Sequence, residues 1–441
     1  MKKSTITCDM EGVILTMNDG AEQIFGYKKE ELIGKKRVSI FSPGEIVLQN
    51  VAGWLDEAVK NGEYVGKTYF INKNKQKINA KIRITPTFSN GKDNPQTGYC
   101  GVTEVINEDV NVPISFATKM IKGLAITRMP FTSASLLPVF AVGAYFAGVG
   151  DNLFNITSFI LCILGVLIAH LAINVFNDYF DVKDGTDEAN AEYFQQVSGG
   201  SRAIELGLIT LNGTLKLAIW LTLIATLIGA LLVLRVDSSI ITPIIYTTLA
   251  GLFLGYFYTA PPLRLVAKRG LGELSIFLAF GPLLTIGTGL AIFAGNFADF
   301  VENEHFFNCL LLGIPMGLLT TNILLINEFP DMKSDKTTGK NHLVVTFGKK
   351  NSRWLYLIFL LLACQSSYYL YTKSNDVLIL VPTLICLAYG LYLFSTIMKK
   401  YESRELINAN WGTIGLQAIY SIVLCIIPVS YTHLTLPTIY S

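Results

Sequence analysis

Histidine is scarce in this chain: there are four in 441 residues, and none before His170. A histidine-ligated haem is therefore excluded from everything upstream of that residue. Charge is scarce too. Asp, Glu, Lys and Arg make up 15% of the residues, hydrophobic residues make up 51%, and mean hydropathy is +0.45. That is too apolar for a water-soluble chain of this length, so most of it belongs in lipid. The net charge of +2 gives no global basic field with which to bind nucleic acid. Seven cysteines (Cys8, Cys100, Cys162, Cys309, Cys364, Cys386 and Cys425) are scattered, odd in number and without a CxxC pair. They read as small core residues, not as a disulfide framework or a thiolate metal site. The opening MKKSTITCDMEG has no apolar h-region and does not read as a signal peptide.

What the chain does have is unevenly spread. Residues 1–112 read as a soluble module and 113–130 as a linker. The linker mixes apolar residues with Lys119, Lys122 and Arg128 and is expected to form an interfacial helix. Residues 131–428 then hold nine apolar stretches, near 131–149, 157–177, 214–234, 239–259, 272–294, 307–327, 353–372, 377–397 and 410–428. Each approaches the roughly 20 residues that a helix needs to cross the hydrocarbon. Arg264, Lys268 and Arg269, then Lys333, Lys336, Lys340, Lys349, Lys350 and Arg353, then Lys399, Lys400 and Arg404 all fall in alternate loops. The intervening loops carry little positive charge, and one of them is acidic (Asp299, Glu302, Glu304). This asymmetry predicts a protein of the cell membrane with a cytoplasmic N-terminus.

On that reading two acidic clusters lie on the cytoplasmic side, NVFNDYFDVKDGTD after the second stretch and NEFPDMKSD after the sixth. Carboxylates at a membrane boundary are unfavourable unless a cation uses them. Asn174, Asp178 and Asp181 follow i, i+4, i+7 spacing, which puts them on one helical face. Asn327, Asp331 and Asp335 follow i, i+4, i+8, with Pro330 expected to bend or restart the helix. Mg²⁺ takes oxygen ligands, commonly one or two carboxylates plus substrate phosphates. Two facing half-sites of this kind suit a diphosphate held between metals. For any single Asp a solvated or capping role is the better reading; two matched clusters are not explained that way.

These motifs, with YTAPPLRLVAKRGLGELSIFLAFGPLL and NEFPDMKSDKTTGKNHLVVTFG, resemble the UbiA superfamily of intramembrane prenyltransferases over about Phe116 to Pro428. More narrowly they are similar to its dihydroxynaphthoate polyprenyltransferases. Where the general pattern has a third Asp, position 185 is Gly, and Asp187 in the context GTD matches the naphthoate-type version. The resemblance implies an all-α polytopic bundle that binds Mg²⁺, a polyprenyl diphosphate and an aromatic acceptor. It implies Asn174, Asp178, Asp181 and Asp187 as ligands of one Mg²⁺ and Asp331 and Asp335 of the other, with Asn327 in support. Asp178, Asp181, Asp331 and Asp335 are then the catalytic set. Lys183, Arg202, Arg264 and Lys340 are candidates for the phosphate oxygens, since Arg offers bidentate contacts and Lys a point charge.

Tyr179, Phe180, Tyr256 and Tyr258 are candidate aromatic faces for a prenyl cation, although packing is the commoner role for any one of them. Gly281 and Gly287 suit close helix approach. His170 lies one helical turn before Asn174 and either positions the acceptor or is satisfied within the bundle, while His305 and His342 fall in polar loops and show no pattern.

The soluble module resembles a PAS domain, an α+β fold. Asp9 to Phe41 reads as a strand, a turn at Glu11-Gly12, a second strand, a helix started by Asn18 and ended near Gly26, and a second capped segment from Lys28. Residues 67–88 alternate as paired strands around a polar turn. PAS domains sense ligands or pair with partners, so sensing and dimerisation are both open. The stretch 429–441, VSYTHLTLPTIYS, resembles a translated sequencing adapter and reads as a non-native tail.

The function expected is transfer of a polyprenyl group to 1,4-dihydroxy-2-naphthoate, with release of diphosphate and CO2. The alternatives are the same chemistry on 4-hydroxybenzoate or a glycerol-phosphate lipid, or a PAS-linked membrane receptor without catalysis.

Overall fold

The structure is a computed structural model that describes residues 3–89, 91, 94–190, 193–194, 198–374 and 376–427; the tail at 429–441 lies outside them. The chain forms two compact units, Met1–Thr127 with Ser201–Gly213, and Arg128–Gly200 with Thr214–Ser441.

The first unit is built on an antiparallel sheet of β1 (Lys3–Asp9), β2 (Ile14–Met17), β3 (Tyr64–Ile71), β4 (Lys77–Thr87) and β5 (Gly98–Val105), in the order β2-β1-β5-β4-β3. Period-two alternation buries Ser4, Ile6 and Cys8 on one face of β1. The turn chemistry is local. Asp9 Oδ1 accepts from the Glu11 and Val13 amides at 2.9 Å each, and Asn18 Oδ1 accepts from the Ala21 amide at 2.9 Å, starting the helix Asp19–Phe25. Phe25 stacks on Phe41 at 4.2 Å between centroids, in a core with Ile14, Ala21 and Leu32.

Two further segments complete this unit. The helix Phe116–Thr127 is tied to it through Gln49, whose Oε1 accepts from the Ser115 amide at 2.9 Å and from Thr118 Oγ1 at 2.8 Å, and through the Lys122–Glu45 pair at 2.7 Å. Phe116, Met120, Ile121 and Leu124 remain exposed on it. The second segment is the stretch 201–213. A Cβ on Gly44 would stand 2.5 Å from the Leu206 carbonyl oxygen and 2.5 Å from Leu208 Cδ2, so the stretch lies directly against that glycine.

In the second unit, nine helices among the described residues are long and apolar enough to span a membrane. They are Met129–Val149, Ile156–Lys183, Leu211–Val233, Ser238–Thr259, Leu271–Ile292, His305–Thr337, Leu343–Ser374, Val377–Lys400 and Arg404–Ile426, called the first to ninth spans below. The second and sixth are much longer than their apolar stretches, at 28 and 33 residues. Thirty-three residues at about 1.5 Å each give about 50 Å, against about 30 Å of hydrocarbon. The second acidic motif, and the first as far as Lys183, are therefore the final turns of helices. The seventh span is interrupted at Gly348, whose φ of 76° and ψ of 155° are not helical.

Two departures from the sequence reading have clear causes. The stretch 272–294 is not one rod: it divides into Leu271–Phe280 and Pro282–Ile292 at Gly281, with Pro282 at the first position of the new helix. A Cβ on Gly281 would stand 2.6 Å from the Gly313 carbonyl oxygen, so the fifth and sixth spans meet backbone to backbone there. Conversely, Pro330 does not restart the sixth span, which is helical throughout His305–Thr337. Proline removes the amide that would bond to the carbonyl four residues earlier. That carbonyl, of Ile326, instead accepts from Asn410 Nδ2 at 3.1 Å.

Candidate active site

Helical spacing carries the second span's acids to its last turns, and the chain then folds back through Thr186–Ala189. Asp178 and Asp187 are buried, at 5% and 9% exposure, and face a common point. A Cβ on Gly200 would stand 3.1 Å from Asp178 Oδ1 and 3.4 Å from Asp187 Oδ1. Only a residue without a side chain leaves that space open between two carboxylates. Asn174 is half-buried about one turn before Asp178 in the same helix.

From the sixth span, Asp331 meets a ring of donors. Asn190 Nδ2 and Ser198 Oγ donate to its Oδ1 at 2.7 and 2.9 Å, and the Gly199 amide donates to Oδ2 at 3.0 Å. Asp335, 7% exposed, meets His342 Nε2 through Oδ2 at 3.1 Å. Asn327 Oδ1 accepts from Asn410 Nδ2 at 2.7 Å, so this amide is engaged within the bundle.

Lys340 joins the two helix ends. Its Nζ lies 2.7 Å from Asp181 Oδ1, the residue is 6% exposed, and the charges of Asp335 and Asp187 also act on it. Burial by itself would lower the pKa of this ammonium; the surrounding carboxylates outweigh burial and hold it above the usual lysine range. Lys340 is thus a buried cation among acids from both spans. His342 behaves similarly. Burial pulls its pKa down, but Glu328 and Asp335 push it up to about 10, so without a metal the imidazole is protonated.

The other predicted cations divide. Arg264 Nη2 pairs at 3.0 Å with Oδ2 of Asp184, a residue of the first motif. Lys183 is exposed, with its Nζ 5.7 Å from the Tyr179 ring centroid, and no contact described here joins it to the acids. Arg202 lies in the first unit, 6% exposed, and pairs with Glu205 at 3.1 Å.

The donor set at the two helix ends is carboxylate and amide oxygen, the hard ligands that suit Mg²⁺. Together with the space over Gly200, it fits a divalent metal with a diphosphate.

Residues 135–414 match the description "UbiA prenyltransferase family", and residues 2–105 match "PAS domain". The chain belongs to the UbiA prenyltransferase family. It is 27% identical over 278 residues to UbiA prenyltransferase domain-containing protein 1 of Dictyostelium discoideum, covering 60% of this chain and 77% of the relative. It is 26% identical over 268 residues to 1,4-dihydroxy-2-naphthoate octaprenyltransferase of Escherichia coli K12, covering 59% and 80%. Among solved structures, a UbiA homologue from Archaeoglobus fulgidus bound to DMAPP and Mg²⁺ aligns at TM-score 0.50 and 16% identity, covering 69% of this chain and 99% of that one. Family and spans together make this UbiA-family chain a multi-pass membrane protein, with a PAS domain at its N-terminal end.

The remaining sequence candidates settle into roles. His170 is buried, shares a hydrogen bond between its Nδ1 and Ser135 Oγ, and meets the edge of Phe280. It is satisfied within the bundle. Phe180 meets Tyr256 edge-on at 5.9 Å, and Phe176, which sequence reading passed over, meets the same ring at 5.4 Å.

His305 is a helix residue, whereas His342 does lie in the short connection between the sixth and seventh spans but is folded inward. His305 is buried at the start of the sixth span, 2.6 Å from the Tyr145 hydroxyl, and His342 is 1% exposed among carboxylates. Sequence reading also missed Asn190, Ser198 and Gly200, which come from the connection after the first motif. The SGG run beside that motif was the available signal.

Proposed function

We propose that this UbiA-family protein transfers a polyprenyl group from polyprenyl diphosphate to an aromatic acceptor, 1,4-dihydroxy-2-naphthoate, in a Mg²⁺-dependent reaction. The products are demethylmenaquinone, diphosphate and CO2. The observation that carries this reading is the buried Lys340 ammonium set among acids of both helix ends, 2.7 Å from Asp181. A cation among carboxylates is a ready-made place for an anionic group that arrives with its own metal ions. The naphthoate enzyme named among the relatives, and the DMAPP and Mg²⁺ named with the archaeal structure, support the same assignment.

In this scheme Asn174, Asp178, Asp181 and Asp187 hold one Mg²⁺, and Asp331 and Asp335 hold the other. When bound, Mg²⁺ supplies Lewis-acid stabilisation of the charge that develops on the leaving diphosphate. Lys340 and Arg264 meet the phosphate oxygens. Asn190, Ser198 and Gly199 hold Asp331 in one orientation, so that little reorganisation is needed as charge develops. The rings of Phe176, Phe180 and Tyr256 offer π-faces and exclude water on the prenyl side. We place both helix ends and the N-terminus on the cytoplasmic side of the cell membrane, on the loop charges. The exposed apolar stripe of Phe116–Thr127 is assigned to the lipid interface.

The test is turnover in membranes with Mg²⁺, a polyprenyl diphosphate and a panel of aromatic acids. Prenylation of dihydroxynaphthoate with loss of CO2 is expected. Turnover of hydroxybenzoate alone would overturn the acceptor while leaving the diphosphate site in place.

The PAS unit is assigned a regulatory role, adjusting turnover to redox or quinone status. The supporting observation is the seating of 201–213 against Gly44, because that stretch continues directly from Ser198 and Gly199, which hold Asp331. Gly44→Val crowds Leu206 and Leu208 and is expected to shift turnover several-fold while the membrane unit stays folded. A folded Gly44→Val protein with wild-type turnover, and wild-type response to reduced and oxidised membranes, would sink this role.

A further inference from the structure

Glu273, Glu328 and His342 form a cluster that the diphosphate chemistry leaves unused. Glu273 lies in the first turn of the fifth span, Glu328 is in the sixth, and His342 precedes the seventh; they are 3%, 5% and 1% exposed. One carboxylate oxygen from each Glu and one imidazole nitrogen all lie within 4.8 Å of one another.

The hydrogen bonds around the cluster are incomplete in a particular way. Glu273 Oε1 accepts from the Leu343 amide at 2.6 Å, while its Oε2 is buried without a hydrogen bond. Glu328 Oε1 is also buried without one, and Glu328 Oε2 stands 3.2 Å from His342 Nδ1. On the opposite side of the ring, Nε2 meets Asp335 Oδ2 at 3.1 Å. Three carboxylates therefore surround one imidazole, and two of them carry idle, buried oxygens. Buried carboxylate oxygens without a donor are unfavourable until a proton or a metal ion fills the place, and a metal ion serves oxygens of both glutamates at once. A metal-bound histidine characteristically donates its second ring N–H to a carboxylate or carbonyl. His342 Nε2 beside Asp335 has that arrangement, which leaves Nδ1 on the side of the two glutamates, 3.2 Å from Glu328 Oε2, with one long contact from the Val345 amide at 3.4 Å.

We infer that Glu273, Glu328 and His342 hold a divalent first-row transition ion, in a site separate from the all-oxygen acidic helix ends. One imidazole with two carboxylates suits Zn²⁺ and its neighbours, whereas Mg²⁺ is served by oxygen alone. The ion replaces the proton on Nδ1, fixes the ring, and through Nε2 fixes Asp335. Its presence does not rest on the diphosphate reading; only the consequence for Asp335 does.

Zinc-edge X-ray absorption on the full chain in detergent tests it, after chelator stripping and reloading with Zn²⁺ under excess Mg²⁺. The expected result is a tightly held Zn²⁺ whose shell contains imidazole nitrogen as well as oxygen. His342→Gln should remove the nitrogen signal, and Glu328→Gln should weaken Zn²⁺ binding by at least about 100-fold, the upper range for loss of an outer-shell partner. The double variant Asp178→Ala/Asp331→Ala should keep both properties.

An all-oxygen shell in the wild-type protein, a nitrogen signal that survives His342→Gln, or no retained Zn²⁺ in folded wild-type protein would each overturn the inference. The wild-type spectrum alone decides if Glu328→Gln does not fold. Prenyl transfer by stripped protein in Mg²⁺ alone reads the diphosphate site separately, so the two readings fail independently.

Discussion

The ends of the second and sixth spans carry the same residue types at nearly the same helical spacing, yet they are held in opposite ways. At the end of the second span Asp181 is clamped by the Lys340 ammonium at 2.7 Å, and Asp178 and the following segment's Asp187 both face the space over Gly200. On the sixth, Asp331 accepts three neutral hydrogen bonds, one of them from the backbone, and Asp335 is pinned by a histidine ring. A lysine is a point charge on a flexible stem and can leave when a substrate arrives. A backbone amide cannot. The second-span end is thus the adjustable side of the site and the sixth-span end the fixed side, a difference that a shared Asp motif conceals.

The comparison breaks most severely if both ends are not needed. Asp178→Ala and Asp331→Ala should each lower turnover by about 10³-fold or more while leaving the protein inserted, as prenyl transfer in membranes would read. Near-normal turnover in either variant would remove that end from the metal site.

Lys340→Met comes next. It leaves the Asp181 carboxylate partly buried and unpaired, so the folded state should be destabilised by about 3–5 kcal/mol in addition to the loss of activity. Wild-type stability would mean that Asp181 has other support and that the adjustable side is not held by Lys340.

Asn410→Ala probes the scaffold of the fixed side. It strips the Ile326 carbonyl and Asn327 Oδ1 of a shared donor, and a loss of about 1–3 kcal/mol is expected by thermal unfolding in detergent. The smallest effect should come from Ser198→Ala. One of the three donors to Asp331 is lost, about 1.5 kcal/mol for a bond to a charged acceptor, which is about tenfold in turnover. An effect as large as that of Asp331→Ala would show that Ser198 touches the substrate itself.

Much of this was legible in the residues. Hydropathy located the nine spans because a helix crossing lipid has little freedom in length or composition. The acids fell on single faces because helical period is fixed. Turn chemistry in the PAS domain was local and was therefore readable: Asp9, Asn18 and Gly26 act within a few residues of themselves.

What stayed hidden was every pairing across distant sequence. Lys340 and Asp181 are 159 residues apart, and Glu273 and Leu343 are 70 apart. Glu328 follows Asn327 directly, so helical period turns it off the face that carries Asp331 and toward His342. Pro330 misled for the same reason, since its rescue comes from Asn410, on a different span. His342 looked like a loop residue because hydropathy says nothing about a short polar connection folding inward.

The seating of 201–213 beside Gly44 bears on how this protein can be taken apart. The PAS-containing unit is split in sequence, with Arg128–Gly200 and its first two spans threaded between the two pieces. A truncation near residue 112 would not excise a cassette. It would leave Leu206 and Leu208 without the surface they cover, and any change in activity would mix loss of the PAS domain with loss of a loop's footing. A faithful transplant onto another prenyltransferase has to carry both pieces and splice at both Thr127 and Gly213.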